Sequence, residues 1–161
     1  TPHLAGAMLC HAAGIDAVHV AYKGSAPAQN DLAAGQIDFM VDTISASLNF
    51  IRSGKVKPLA VSSLEPSKTL PDLPTLDAQG AKGFQVAAWG GFVVPKGTPA
   101  AVIAALNDAG NRTLSSPDFV ERALGMGSEL QGGTPEAFGE WIRSELANWK
   151  QAVAAAGVPR Q

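Results

Sequence analysis

The stretch Ala17-Val18-His19-Val20-Ala21-Tyr22-Lys23-Gly24-Ser25-Ala26-Pro27 carries a strand, a junction and a helix start in direct succession. Residues 17–22 are nearly all apolar on both faces, the pattern of a strand covered on both sides. Ser25 is of the helix-capping type, Pro27 fits the first turn, and Gly35 supplies a stop. The same grammar runs outward in both directions. Downstream, residues 37–42 read as a strand, Asp42 or Thr43 caps a helix over residues 44–53, Gly54 ends it, and residues 56–62 form a third strand. Upstream, residues 4–13 have helix-forming composition, with Thr1 as N-cap, Pro2 in the first helical position and Gly14 as stop. Short apolar strands alternating with helices of about ten residues predict crossover units around a parallel sheet, an α/β fold.

The rhythm changes at residues 63–83, where Pro66, Pro71 and Pro74 are followed by Gly80 and Gly83. An irregular connection with one short helix over residues 75–79 is expected there. Residues 84–95 then read as a long strand interrupted by Gly90-Gly91, a place where the chain bends or a ligand approaches the backbone. Beyond it the chain is helix-rich. Thr98-Pro99, Ser116-Pro117 and Thr134-Pro135 each set a hydroxyl cap before a proline at a helix start. Val102, Ile103, Leu106 and Leu114 form one apolar stripe; Phe138, Ile142, Leu146, Trp149 and Val153 form another. A short strand is expected over residues 128–131. The change at residues 63–83, from alternating to helix-rich, marks the expected boundary between two lobes.

Composition narrows the function. Of 161 residues, 46% are hydrophobic and 16% charged, which excludes an intrinsically disordered chain. A net charge of −2 gives no electrostatic footprint for nucleic acid or an anionic membrane. The single cysteine, Cys10, allows neither an internal disulfide nor a multi-cysteine zinc site. Neither a membrane-spanning apolar run nor a signal peptide is legible. The chain opens Thr1-Pro2-His3 without an initiator methionine, so a processed chain or a piece of a longer protein is expected.

Catalytic motifs are missing. His3, His11 and His19 are spaced too widely to chelate one metal, and no His-Glu-x-x-His motif occurs. The chain also lacks a Gly-x-Ser-x-Gly elbow and both common phosphate-binding glycine loops. Cys10 reads as a small buried hydrophobe and His19 as a satisfied core residue. No catalytic residue, metal or cofactor is expected.

What remains is a binding geometry. A right-handed parallel sheet delivers every strand end and the next helix start to one edge. That edge would collect residues 22–25, residues 42–45 and the helix start at residues 1–3. Helix starts present unpaired N–H groups and the positive end of a dipole, so several around one crevice suit an anion, most simply a carboxylate. The plainer reading is that Thr1, Ser25 and Thr43 only cap their helices. Asp42 would repel an anion unless the ligand also offers a donor or water intervenes; alternatively it is a helix cap. Lys23 could add charge at the rim or be merely solvated, and Trp89 could wall the crevice or fill a core.

Several stretches carry a resemblance. Thr1-Pro2-His3-Leu4-Ala5-Gly6, His19-Val20-Ala21-Tyr22-Lys23-Gly24-Ser25-Ala26-Pro27 and Gly35-Gln36-Ile37-Asp38-Phe39-Met40-Val41-Asp42 resemble the tripartite tricarboxylate transporter substrate-binding proteins, the Bug or TctC family of bacterial periplasmic receptors. The likeness continues through Gly54-Lys55-Val56-Lys57-Pro58-Leu59-Ala60-Val61, Leu70-Pro71-Asp72-Leu73-Pro74-Thr75, Trp89-Gly90-Gly91-Phe92 and Pro95-Lys96-Gly97-Thr98-Pro99 to the Thr134-Pro135-Glu136 helix. Members of that family are nearly twice as long, so the chain resembles a back half: residues 1–83 as the second lobe of a type II periplasmic binding protein, lacking its first strand, then residues 84–161 as the crossing strand and helices returning to complete the first lobe.

The resemblance implies a two-lobed receptor closing on a small organic acid (a di- or tricarboxylate, an acidic amino acid or an aromatic acid) and passing it to transporter membrane subunits from the periplasm. It implies ligand contacts at Thr1 and His3, at Tyr22, Gly24, Ser25 and Ala26, and at Asp42, Thr43 and Ser45, with no cofactor. Two other readings stay open. One is a small-molecule enzyme on the same lobe, with Asp42 as base and Tyr22 or His3 as acid. The other is an isolated lobe without activity of its own.

Overall fold

The computed structural model describes residues 2–155, apart from the side chains of residues 151, 152 and 155. Thr1, and with it the expected cap of the first helix, lies outside the described residues. Six helices follow in order: α1 (Pro2–Ala13), α2 (Ser25–Ala33), α3 (Ile44–Arg52), α4 (Ala100–Leu114), α5 (Pro117–Gly125) and α6 (Pro135–Ala155). Each coincides closely with an expected helix, and local chemistry explains where they stop. Gly14, Gly35 and Gly54 sit just past the first three helices with φ of 65°, 72° and 68°, the left-handed region that a side chain disfavours.

The caps are less uniform than expected. Thr43 caps α3, its Oγ1 accepting from the Ala46 N–H at 3.4 Å, and Thr134 Oγ1 accepts from the Ala137 N–H at 3.2 Å. Three other hydroxyls do not cap. Gly24, with φ 110° and ψ 175°, holds the N-cap position of α2, which shifts Ser25 into the helix. Pro99 holds that position in α4, and Thr98 instead donates to the Pro95 carbonyl at 2.9 Å. Ser116 occupies the cap position of α5 without a side-chain hydrogen bond. The helix expected over residues 75–79 is a hydrogen-bonded turn, with the Gln79 N–H donating to Thr75 O at 3.2 Å.

The largest departure concerns the sheet. Among the described residues no strand forms; the expected segments 17–22, 37–42, 56–62, 84–95 and 128–131 leave only one parallel bridge, Val61 with Thr75. Around it, the Val61 N–H donates to Pro74 O, the Leu76 N–H to Val61 O, and the Val86 N–H to Ser62 O, each near 3 Å. The physical reason is that apolar composition states only what a segment would bury. A ladder also requires a neighbouring backbone in register to take its N–H and C=O groups. Without one, Val18 is 92% exposed, Phe92 99% and Val93 80%.

Packing is therefore carried by helices and turns. Ala5, Phe84 and Val86 form a buried cluster, flanked by Met8, Leu9, Val41, Leu76, Ala81 and Trp149. Helix α1 packs on α6, α2 on α3 and α4 on α5. Trp149 reaches the core as its stripe required, whereas Leu146 on the same stripe stays 68% exposed. Val102 and Leu106 of α4 are also about half exposed, so that stripe has no full partner. Cys10 is free and half-buried rather than buried. No described helix is long and apolar enough to cross a membrane.

Candidate functional site

Asp42 organises the region in which the sequence analysis places its candidates. Its Oδ1 accepts from Ser25 Oγ at 2.9 Å and from the Thr43 N–H at 2.8 Å. Its Oδ2 accepts from Gln29 Nε2 at 2.8 Å and from Ser47 Oγ at 3.4 Å. Ser25 and Gln29 belong to α2, Ser47 to α3, and Thr43 is the α3 cap. One carboxylate thus joins the start of α2 to the start of α3. Seventeen positions separate Ser25 from Asp42, so this convergence is tertiary.

Local sequence explains how the parts reach each other. Ser25 and Gln29 stand four apart and share a helix face. Gly24 turns the chain into α2 with a backbone conformation suited to glycine, leaving the first-turn N–H groups without a side-chain cap. On α3 the first-turn hydroxyls interlock, Ser45 Oγ donating to Thr43 Oγ1 at 3.3 Å. The candidates Ser25, Asp42, Thr43 and Ser45 are therefore gathered at two adjoining helix starts, beside Gly24 and Ala26.

Tyr22 turns aside from that carboxylate. Its hydroxyl donates to Asp31 Oδ2 at 2.8 Å, farther along α2. Losing that proton would forfeit the hydrogen bond and set a phenolate against a carboxylate, so its pKa is raised above the ordinary 10.0.

His3 follows a different course. Its ring stacks on that of His19, centres 3.8 Å apart and planes 7° from parallel. Both histidines are exposed. His19 is thus not the core residue that its apolar neighbours suggested, because segment 17–22 gains no sheet to cover it. Two stacked rings do not converge their nitrogens on one point, and no group of three or more metal-binding side chains occurs among the described residues.

Gln29 is the residue that motif reasoning missed. It is 3% exposed, and its Nε2 also lies 3.3 Å from Ser47 Oγ. The available signal was its four-residue spacing from Ser25, which has meaning only once Asp42 is known to lie opposite. Gly127, just past α5, was missed as well. It has φ 77°, and a Cβ on it would stand 3.0 Å from the Ser45 backbone nitrogen, so the α5 turn passes directly over the start of α3. Trp89 is 44% exposed and donates from Nε1 to Glu145 Oε2 at 2.9 Å, with its ring edge-on to Phe138. An open depression of about 540 Å³, lined by residues of α4, α5 and the turn between them that include Arg112, Ser116 and Arg122, contains none of the candidate residues.

Comparison with known proteins bears on this arrangement. The model of the tripartite tricarboxylate transporter family receptor matches residues 1–158. A curated UPF0065 protein in the clcB-clcD intergenic region of Pseudomonas knackmussii is 41% identical over 152 residues, 94% of this chain and 90% of that protein. Among solved structures, R. palustris Rpa4515 with adipate superposes with a TM-score of 0.88 at 31% identity, covering 97% of this chain and 52% of that one. The periplasmic binding protein BugD gives a TM-score of 0.84 at 41% identity, covering all of this chain and 55% of that one. The chain thus spans about half the length of these structures, and 45% of the length of another curated relative from Pseudomonas sp..

Proposed function

We propose, because the chain belongs to the tripartite tricarboxylate transporter receptor family, that its adjoining α2 and α3 starts form one wall of a cleft that captures a small organic acid. The family is one of binding proteins rather than enzymes; of the similar solved structures, BugD is a periplasmic binding protein and Rpa4515 is seen with adipate. The supporting observation is the Asp42 network, which holds two helix starts side by side where backbone N–H groups and hydroxyls converge. In this reading Gly24, Ser25, Ala26, Asp42, Thr43 and Ser45 belong to the ligand-facing wall; Tyr22 and His3, turned to Asp31 and His19, and Thr1, outside the described residues, join it only by family likeness. Donation from amides at the positive ends of two helices suits a carboxylate.

Residues 1–83 would act as the second lobe of a type II periplasmic binding protein and residues 84–161 as the segment returning to the first. Closure would follow because an acid touching both lobes binds the shut state better, shifting the population towards it. The receptor would work in the periplasm and deliver its ligand to membrane subunits of the transporter. The enzyme alternative is less well supported: the Tyr22 hydroxyl is tied to Asp31 and its proton is held more tightly than in free tyrosine, which suits neither acid nor base work near neutrality.

The test is thermal denaturation of the complete gene product against a panel of di- and tricarboxylates and aromatic acids. A binder at one hundred times its Kd stabilises by about 2.7 kcal/mol, several degrees in Tm for a protein of this kind. A panel without any shift would remove the receptor reading.

A further inference from the structure

The valency of Asp42 carries one step further, resting on the receptor reading above. An ionised carboxylate offers about four lone-pair sites and no donor. At Asp42 four donors approach them: Ser25 Oγ and the Thr43 N–H on one oxygen, Gln29 Nε2 and Ser47 Oγ on the other. Three of those contacts lie between 2.8 and 2.9 Å, and the closest side-chain donor, Gln29, is buried. A group that anchors a ligand's ammonium must keep acceptor capacity free for it. Asp42 keeps none.

We infer that Asp42 is a positioning residue, its carboxylate consumed in clamping α2 to α3, and that the ligand of this wall is a carboxylate without an ammonium group. Among the acids that a receptor of this kind could take, the geometry selects plain or hydroxylated carboxylates over amino acids. Two consequences follow from the same bonds. The Ser25 hydroxyl proton is directed at Asp42, so recognition at α2 falls to backbone N–H groups, which read charge and shape rather than side-chain chemistry. An incoming ammonium would have to displace Ser47 from Oδ2 or break the short bond from the buried Gln29 amide, and either move loosens the joint between α2 and α3.

The experiment uses matched acids differing by one ammonium group, succinate with L-aspartate and glutarate with L-glutamate. Binding to the complete gene product is measured by calorimetry for the unaltered protein, Asp42→Asn and Gln29→Ala. Amide hydrogen exchange is followed in the same proteins without ligand. The expected result is at least tenfold tighter binding of the unaminated member, with Asp42→Asn and Gln29→Ala weakening both members by similar factors. Exchange at the Thr43 amide should rise about tenfold in both variants while α6 is unchanged. Tighter binding of the aminated member, or its selective loss in Asp42→Asn, would overturn the inference. So would unchanged exchange at Thr43, or acceleration spread equally through α6, which marks general destabilisation. If no member of either pair binds, the receptor reading fails for these acids, and exchange at Thr43 still decides whether Asp42 clamps. Gln29→Ala keeps the carboxylate and answers the same questions should Asp42→Asn not fold.

Discussion

Trp89 and Trp149 donate their indole N–H groups to the same oxygen, Oε2 of Glu145, at 2.9 and 3.2 Å. Trp89 lies in the crossing segment, whereas Trp149 and Glu145 are one turn apart on α6. The shared acceptor pins that segment to the last helix. Glu145→Ala should therefore destabilise by about 1–2 kcal/mol, the scale of hydrogen bonds to a charged acceptor that is only partly shielded from water. Urea denaturation followed by tryptophan fluorescence checks it; a midpoint equal to that of the unaltered protein would show that the pair contributes nothing.

Gly91 lies against the tip of the Phe138 ring. A Cβ there would meet ring carbons at 2.8 and 2.9 Å, well inside contact distance. Because those atoms are the far end of a side chain beside an exposed glycine, Gly91→Ala should push the ring aside at a cost of about 1 kcal/mol, the low end for added volume. The double variant Gly91→Ala with Phe138→Leu should recover part of that loss, giving a coupling free energy measurable in a double-mutant cycle. Strict additivity would mean that the strain is relieved elsewhere.

Thr43 is the α3 cap and also the neighbour whose amide binds Asp42. Thr43→Ala removes the hydroxyl acceptor of the Ala46 N–H and should cost about 0.5–2 kcal/mol, while Thr43→Ser should cost only a few tenths. Thermal melts of the two variants distinguish a capping role from one in which the methyl group matters more than the oxygen.

Asp77 accepts from the Gly83 N–H at 2.8 Å and from Lys82 Nζ at 3.1 Å. Both favour the charged form, the backbone donor most, and lower its pKa below the ordinary 3.8. A depressed folded-state pKa gives stability that is present above the unfolded value and lost as pH falls through the folded one. Asp77→Asn should therefore reduce stability at neutral pH and flatten its decline below about pH 4. Parallel stability curves for the two proteins across that interval would argue against the linkage.

Helix positions were legible because their signals are local. Gly14, Gly35 and Gly54 end helices through conformations that a neighbouring few residues determine, and Thr43 caps within its own turn. The site was legible only as a neighbourhood. Ser25 matched a capping pattern, but Gly24 took that position and freed the Ser25 hydroxyl for a partner that sequence order does not reveal. Gln29 carried no motif at all, since its role is defined by Asp42 and Ser47 across an interhelical contact. His19 was misread for a related reason. Its apolar neighbours describe a strand's preference, whereas burial depends on which other segments come alongside, and it ends exposed against His3.

The bare run Phe92–Val94 has a consequence for how the molecule behaves in solution. Such a run, with apolar side chains and main-chain groups open to any passing strand, is a nucleus for self-association. Pro95 and Lys96 follow at once, one unable to donate to a growing ladder and the other repelling its own copies, as residues that interrupt aggregation do. Their loss should be felt first during expression, as inclusion bodies rather than as a lower melting point.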